Sequence, residues 1–233
     1  MPIHAYTNWN SRPSDEEEQI EPFRKYIFIC EGANTETFYF KKLIDLKKQL
    51  DIHPLIDICL WEKTKKDKDI SFPKNLIKFV NKQKKNPENE FDDERDKMII
   101  VFDGDIFEKK VQDYDKLIED IEKTDIAAVT NPGFELFLLL HIKDSYEHYI
   151  KGHDREFLNE DENGSYSHAY NVLRNLTQMN SKTNRSIGDL AENILVAIDQ
   201  EKKINQDIHK LKGIVSSNIG KIIENIMQEK INI

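Results

Sequence analysis

Positive charge is in deficit in this sequence. It has 34 lysines and arginines against 43 aspartates and glutamates, a formal net charge of -9 at pH 7. A general nucleic-acid coat needs a local excess of cations, so that class is disfavoured. A nuclease is not excluded, because carboxylate metal sites add negative charge and local basic patches can still hold phosphate. Cysteine is scarce: Cys30 and Cys59 both lie in apolar, strand-like runs. That excludes a disulfide framework and suits a reducing, cytoplasmic compartment. Neither the cysteines nor the histidines fall at zinc-ligand spacing. No apolar run outlasts Leu136 to Leu140, which is far too short to cross a bilayer. Met1 to Glu21 is polar and acidic, unlike a signal peptide, so no membrane partner is expected. A Walker A pattern is missing, so ATP hydrolysis would have to come from a partner. Internal repeats and low-complexity tracts are missing too.

What is present can fill a modest core. Of 233 residues, 38% are hydrophobic, 9% aromatic and 33% charged. Residues 1 to 22 lack an apolar period, contain Asp15-Glu16-Glu17-Glu18, and read as a flexible or surface-lying acidic tail. Apolar runs at Tyr26 to Cys30, Leu55 to Trp61, Met98 to Phe102 and Ile126 to Thr130 read as strands. Between them the spacing turns helical: Phe38 to Leu50 after Asn34 or Thr35, Leu76 to Val80 after Ser71 and Pro73, and Val111 to Thr124. Asn131 is expected to cap, and Pro132 to open, a fourth helix carrying Phe134, Phe137, Leu138 and His141. This alternation predicts an α/β domain over 23–142, with a mostly parallel four-stranded sheet flanked by helices. Residues 143–233 read as a helical C-terminal elaboration, with loops at Gly152 to Gly164 and Asn180 to Arg185 and no convincing strand.

The chemistry is expected where strands end. Lys97 to Phe102 runs straight into Asp103-Gly104-Asp105, and Tyr26 to Cys30 runs into Glu31. Parallel strands deliver such ends to one edge of a sheet, where open α/β folds bind their ligands. Asp103 and Asp105 lie two positions apart, so an extended backbone aims both to one side. Gly104 would let the chain bend and a phosphate approach. Clustered carboxylates repel, and an all-oxygen set suits Mg²⁺ or Mn²⁺. The bland alternative is that acidic residues simply begin loops after strands.

Ile29-Cys30-Glu31-Gly32, Thr35-Glu36, Tyr39-Phe40, Val101 to Asp105 and Asn131-Pro132-Gly133-Phe134-Glu135-Leu136-Phe137 with Leu138 to His141 together resemble the RloB-like family. That family looks like a branch of the Toprim proteins, which include topoisomerases, primases and overcoming-lysogenization-defect (OLD) nucleases. The resemblance implies a Toprim-like fold and a Mg²⁺- or Mn²⁺-dependent nuclease in bacterial defence against phage, encoded beside an AAA-type ATPase. In the Toprim pattern Asp103 and Asp105 would hold metal. Glu31 would bind metal or act as general acid or base, and Glu36 would be the second acid of an OLD-like site. The family pattern includes Glu135 as a ligand or orienting group. The bland reading of Glu36 and Glu135 is the ordinary preference for acids in a helix's first turn.

Lys63, Lys65 and Lys66, with Lys68, follow the second strand at the same edge and are candidates to contact nucleic-acid backbone, as is Asn131. Lys82 to Lys85 ends a helix, where lysine suits the dipole anyway. Arg155, Arg174, Lys182 and Arg185 are a further candidate patch. His141 is expected at the edge of the core, satisfied by hydrogen bonding. The favoured reading is a metal-dependent phosphodiesterase acting on DNA or RNA, with an ATPase partner and a possible homo-oligomer. Its rivals are a non-catalytic subunit that keeps the architecture and binds an ATPase or nucleic acid, and a small-molecule phosphotransferase using Asp103 as nucleophile.

Overall fold

The structure is a computed structural model that describes residues 4–6, 22–63, 73–105, 114–159 and 166–231. A six-stranded sheet forms its centre. In chain order the strands are β1 (His4–Tyr6), β2 (Arg24–Cys30), β3 (Ile56–Glu62), β4 (Lys97–Asp103), β5 (Ile126–Asn131) and β6 (Ser216–Ser217). Their spatial order is β1-β3-β2-β4-β5-β6. The middle four are parallel, as expected, while β1 and β6 pair antiparallel at the two edges. The chain therefore builds outward from β2 in both directions. Its winding reverses between β2 and β4, which opens a crevice beyond their carboxyl ends.

Strand content follows from burial on both faces. In β2, Ile27 and Ile29 join one core with Leu76, Val80, Ile118 and Ile121. Phe28 and Cys30 point into the other, with Tyr39, Phe40, Leu43 and Phe134. The first face is covered by α2 (Pro73–Lys84) and α3 (Tyr114–Glu122), the second by α1 (Thr35–Asp45) and α4 (Phe134–Leu139). At the heart of the second, Tyr39 meets Phe40, Phe134 and Phe137 edge-on, with centroids 5.2, 5.6 and 5.6 Å away. Truncating such a ring to alanine costs about 3–5 kcal/mol.

Beyond residue 142 come a π-helical turn (Tyr146–Ile150), α5 (Asp154–Leu158), α6 (His168–Thr177), a 3₁₀ segment (Arg185–Asn193) running into α7 (Ile194–Glu201), and α8 (Ile219–Gln228). Leu173, Ile187, Ala197, Ile219 and Ile226 belong to the same core as Phe28 and Tyr39. Buried Glu201 joins the last pieces: it accepts from Ser217 Oγ at 2.5 Å, Gly220 N at 2.9 Å and Lys221 N at 2.8 Å.

Several local expectations are corrected. The tail contributes an edge strand, β1, and Tyr6 donates its hydroxyl to Asp45 at 3.1 Å. Residues 143–233 are not strand-free, since β6 pairs with β5. The loop expected over Gly152 to Gly164 contains α5. The fourth helix starts at Phe134 with Gly133 at its N-cap, so Asn131 closes β5 instead of capping. Ser71, Val111 and the tail from residue 7 to residue 21 lie outside the described residues.

Candidate metal centre

Each acid singled out in the sequence is carried to the carboxyl end of the sheet by its own local pairing. Glu31 N donates to Val101 O at 2.9 Å, which extends the β2–β4 ladder one residue past Cys30 and holds Glu31 beside the end of β4. Asp103 closes β4. Its Oδ1 accepts from Thr130 Oγ1 at 3.2 Å and from Phe134 N, the first residue of α4, at 3.0 Å. Gly104 N then donates to Thr130 O at 2.7 Å and Asp105 N to Pro132 O at 3.3 Å, folding the Asp-Gly-Asp turn over the end of β5. Glu36 sits in the first turn of α1, and Glu135 in the first turn of α4.

Two glycines make room, though one does so differently from the expectation. A Cβ on Gly32 would collide with the Glu36 carboxylate, so that carboxylate lies directly against the Gly32 backbone. A Cβ on Gly104 would stand 2.7 Å from Leu211 Cδ2 and 3.1 Å from Thr130 O. Gly104 is thus buried beneath a C-terminal leucine and is not an open approach for phosphate.

The electrostatics show a shortage of positive charge. Burial pushes the Glu31 carboxyl up to about 7; Glu36 and Asp105 add to this, while a hydrogen bond from the Asp103 backbone and the Lys63 ammonium oppose it. Asp103 is pushed well above the usual carboxylate range by burial, then by Glu36, Glu135, Asp105 and Glu31. Glu36 is raised by burial and by Glu135, against backbone hydrogen bonds and Lys63. Lys63 donates its ammonium to the Glu31 carbonyl, and burial lowers its pKa against the pull of Cys30, Glu31 and Glu36. Glu31 Oε2 is buried and has no hydrogen-bond partner among the described residues.

Five carboxylates, Glu31, Glu36, Asp103, Asp105 and Glu135, therefore feel one another across one cleft. Among the described residues, however, no three histidine, cysteine, aspartate or glutamate side chains stand together as a ready ligand set. The reason is local. Asp103 is held by Thr130 and Phe134 N, Glu36 is seated on Gly32, and Glu135 accepts from Ser181 Oγ at 3.1 Å. Glu31, Asp103 and Asp105 thus do not form a ready three-ligand group among the described residues. In chemistry the residues still fit a hard divalent cation: the donors are all oxygen, the charge is unbalanced, and one buried oxygen lacks a partner.

The remaining candidates separate clearly. Lys63 lies at the rim, lining with Cys30, Gly32, Thr37 and Trp61 a cleft of about 190 Å³. Lys65, Lys66 and Lys68 lie outside the described residues. Asn131 is 1% exposed and donates its amide to Leu211 O at 3.1 Å and Ile214 O at 2.9 Å. It braces the C-terminal loop, so the expectation that it touches nucleic acid is withdrawn. His141 is buried: its Nδ1 meets Phe137 O and its Nε2 meets Tyr39 Oη, both at 2.9 Å, and burial lowers its pKa to about 4. The loop expected over Asn180 to Arg185 is present, but its place beside the acids was not expected. There Ser181 holds Glu135, while Thr35 Oγ1 donates to Ser181 O and Asn34 Nδ2 to Lys182 O, each at 3.1 Å. Only its Asn-Ser-Lys-Thr-Asn composition signalled a turn, and composition does not say which helices a turn joins.

The family model described as RloB-like protein matches residues 26–226. The chain belongs to the RloB-like family. The match spans the four parallel strands from Tyr26 on, every acid of the cleft and the C-terminal helices into α8, and leaves out the edge strand β1, so the RloB-like unit includes both the α/β part and its elaboration. Comparison with curated proteins and with solved structures found no match.

Proposed function

We propose that this RloB-like protein is a Mg²⁺- or Mn²⁺-dependent nuclease that hydrolyses phosphodiester bonds in DNA or RNA, serving as the effector of a bacterial defence system against phage beside an AAA-type ATPase. One observation carries the reading. Five acids from three stretches of chain, the β2–α1 turn, the end of β4 and the start of α4, gather at the carboxyl end of the sheet, and Glu31 keeps a buried oxygen without a donor among the described residues. Buried carboxylates are normally satisfied by hydrogen bonds or by a cation.

Asp103 and Asp105 would hold the cation, with Glu36 and Glu31 completing the set and Glu135 orienting it. A bound cation would neutralise charge on the scissile phosphate and on the attacking and leaving oxygens. Asp103 is fixed by Thr130 and by the start of α4, so it contributes a preset direction. Glu31 Oε2 is buried without a partner among the described residues, so cation binding and proton uptake would compete for the same oxygen. Lys63 sits beside Glu31 and Glu36, where a substrate phosphate would also need a cation.

The rival, a non-catalytic subunit binding an ATPase or nucleic acid, draws on the fact that no three acids are grouped among the described residues. The purified protein, alone and with its ATPase partner, should cut plasmid, single-stranded DNA or tRNA with Mg²⁺ or Mn²⁺ and not with EDTA. Glu31→Ala and Asp103→Ala should abolish cutting. Equal cleavage by wild type and both variants would remove the site assignment, and no cleavage under any condition would favour the rival.

A further inference from the structure

Next to the acidic cleft is a second constellation that the hydrolytic reading does not use. Tyr166 and Tyr170 stack with centroids 4.2 Å apart and planes 14° from parallel. Tyr170 is buried, at 1% exposure, whereas Tyr166 is 40% exposed. The Lys182 ammonium lies 5.6 Å from the Tyr166 centroid and 5.8 Å from the Tyr170 centroid. Nearly equal distances to two stacked rings put the cation beside the pair, not across the outer face of Tyr166. That outer face is the side opposite Tyr170, and the exposure of Tyr166 leaves it open. Tyr170 has no hydrogen-bond partner for its hydroxyl among the described residues, so ring contact and not hydrogen bonding accounts for its place.

The constellation is tied to the cleft through the backbone. Lys182 follows Ser181, whose hydroxyl bonds Glu135 and whose carbonyl accepts from Thr35; the Lys182 carbonyl accepts from Asn34. The same two residues therefore hold the helix starts that carry Glu36 and Glu135, while the Lys182 side chain reaches out to the tyrosines. A flat, half-exposed aromatic face flanked by a cation suits a nucleobase and the phosphate next to it. In a duplex both faces of a base are covered by its neighbours, so only an unpaired or everted base can lie on the ring.

We propose that Tyr166, backed by Tyr170 and flanked by Lys182, is a base-stacking subsite that selects single-stranded nucleic acid and delivers the strand to the acidic cleft. The proposal rests on the nuclease reading and names the substrate class of that site. It also explains how a chain of net charge -9 can hold a polyanion: stacking supplies affinity that charge does not.

The test is binding, measured in EDTA so that hydrolysis plays no part. Fluorescence anisotropy of the full chain would follow a short labelled oligodeoxyadenylate, its ribo counterpart, an abasic strand of the same length and a duplex. The wild type should bind both single strands above the abasic strand and the duplex, and the ratio of the deoxy and ribo arms distinguishes DNA from RNA. Tyr166→Ala should weaken single-strand binding about tenfold while Tyr166→Phe keeps it, as expected for a stacking face. Tyr166→Ala should melt like wild type, which separates the effect from misfolding. The subsite is overturned if Tyr166→Ala binds single strands like wild type, if the abasic strand binds equally well, or if wild type binds no strand. A protein that passes this test but cuts nothing would instead count against the nuclease reading.

Discussion

The two ends of the four parallel strands treat buried acids in opposite ways. At the amino end, Asp125 is 8% exposed and accepts from Lys84 Nζ at 2.6 Å, Thr124 Oγ1 at 3.0 Å and Met98 N at 3.1 Å. Asp96, 4% exposed, accepts from Lys25 N at 2.8 Å and Asp92 N at 3.0 Å. Those carboxylates join strands to their neighbours and are saturated with donors. At the carboxyl end, Asp103 is raised by burial and by Glu36, Glu36 is raised by burial and by Glu135, Glu31 has an oxygen without a donor among the described residues, and the Lys63 ammonium offsets Glu31 and Glu36. Burial of an acid therefore does not mark a site. A buried acid whose donors are missing does, because that arrangement costs stability and needs a ligand to relieve it.

The contrast predicts opposite responses to substitution. The largest effect is expected at the amino end. Lys84→Met leaves Asp125 buried without its cation and should cost about 3–5 kcal/mol, seen as a drop in Tm of about 10 °C. At the carboxyl end, Asp103→Asn should lower cleavage by more than the roughly 100-fold typical of removing a ligand's supporting partner, yet leave Tm unchanged or raised. If Asp103→Asn destabilised as much as Lys84→Met, the two ends would not differ in kind. Next in size is the response to cation. Mn²⁺ at about 100 times its Kd should stabilise wild type by about 2.7 kcal/mol, and Asp103→Asn should not respond. An equal shift in both would place the ion elsewhere.

The smallest effect is the pH dependence. Glu31 holds its proton up to about 7 when folded, against an ordinary 4.5, so its contribution to stability is full below pH 4.5 and is lost as pH rises through 7. His141 runs the other way: with its pKa lowered to about 4, its contribution is present above 6.5 and lost as pH falls through 4. The two oppose each other in between, so wild type alone would show a shallow profile. Subtracting the Tm of Glu31→Gln from that of wild type at each pH should leave a difference that falls between pH 5 and pH 8 without cation. A flat difference would mean that Glu31 is not the strained acid.

Much of this was legible in the chain. Strands buried on both faces read as uninterrupted apolar runs, and the residues that end them, Glu31 and Asp103 above all, mark the carboxyl edge, where open α/β sheets in general bind their ligands. Family membership was carried by motifs lying on those same strand ends. What stayed hidden depends on partners distant in sequence. The pairing of Ser216–Ser217 with β5 has no local signal, because a two-residue strand has no period. The polar Asn131 suggested a helix cap, yet its amide is spent on carbonyls of Leu211 and Ile214, some eighty residues on. Gly104 looked like an open turn and is instead covered by Leu211. The spread of the acids, each on its own anchor, depends on hydrogen bonds to Thr130, Phe134 and Ser181 that no spacing rule encodes.

The clasp between the end of α8 and β2 bears on the order in which this fold closes. Tyr26 donates its hydroxyl to Glu229 at 2.7 Å, and Arg24 pairs with the same carboxylate, across more than two hundred residues of chain. The loop that seals Gly104 and receives the Asn131 amide also belongs to the C-terminal segment. Contacts of such long sequence separation close only after the intervening chain exists. While the chain is being made, the cover over the Asp-Gly-Asp turn therefore stays incomplete until the segment around Leu211 and Ile214 has emerged from the ribosome.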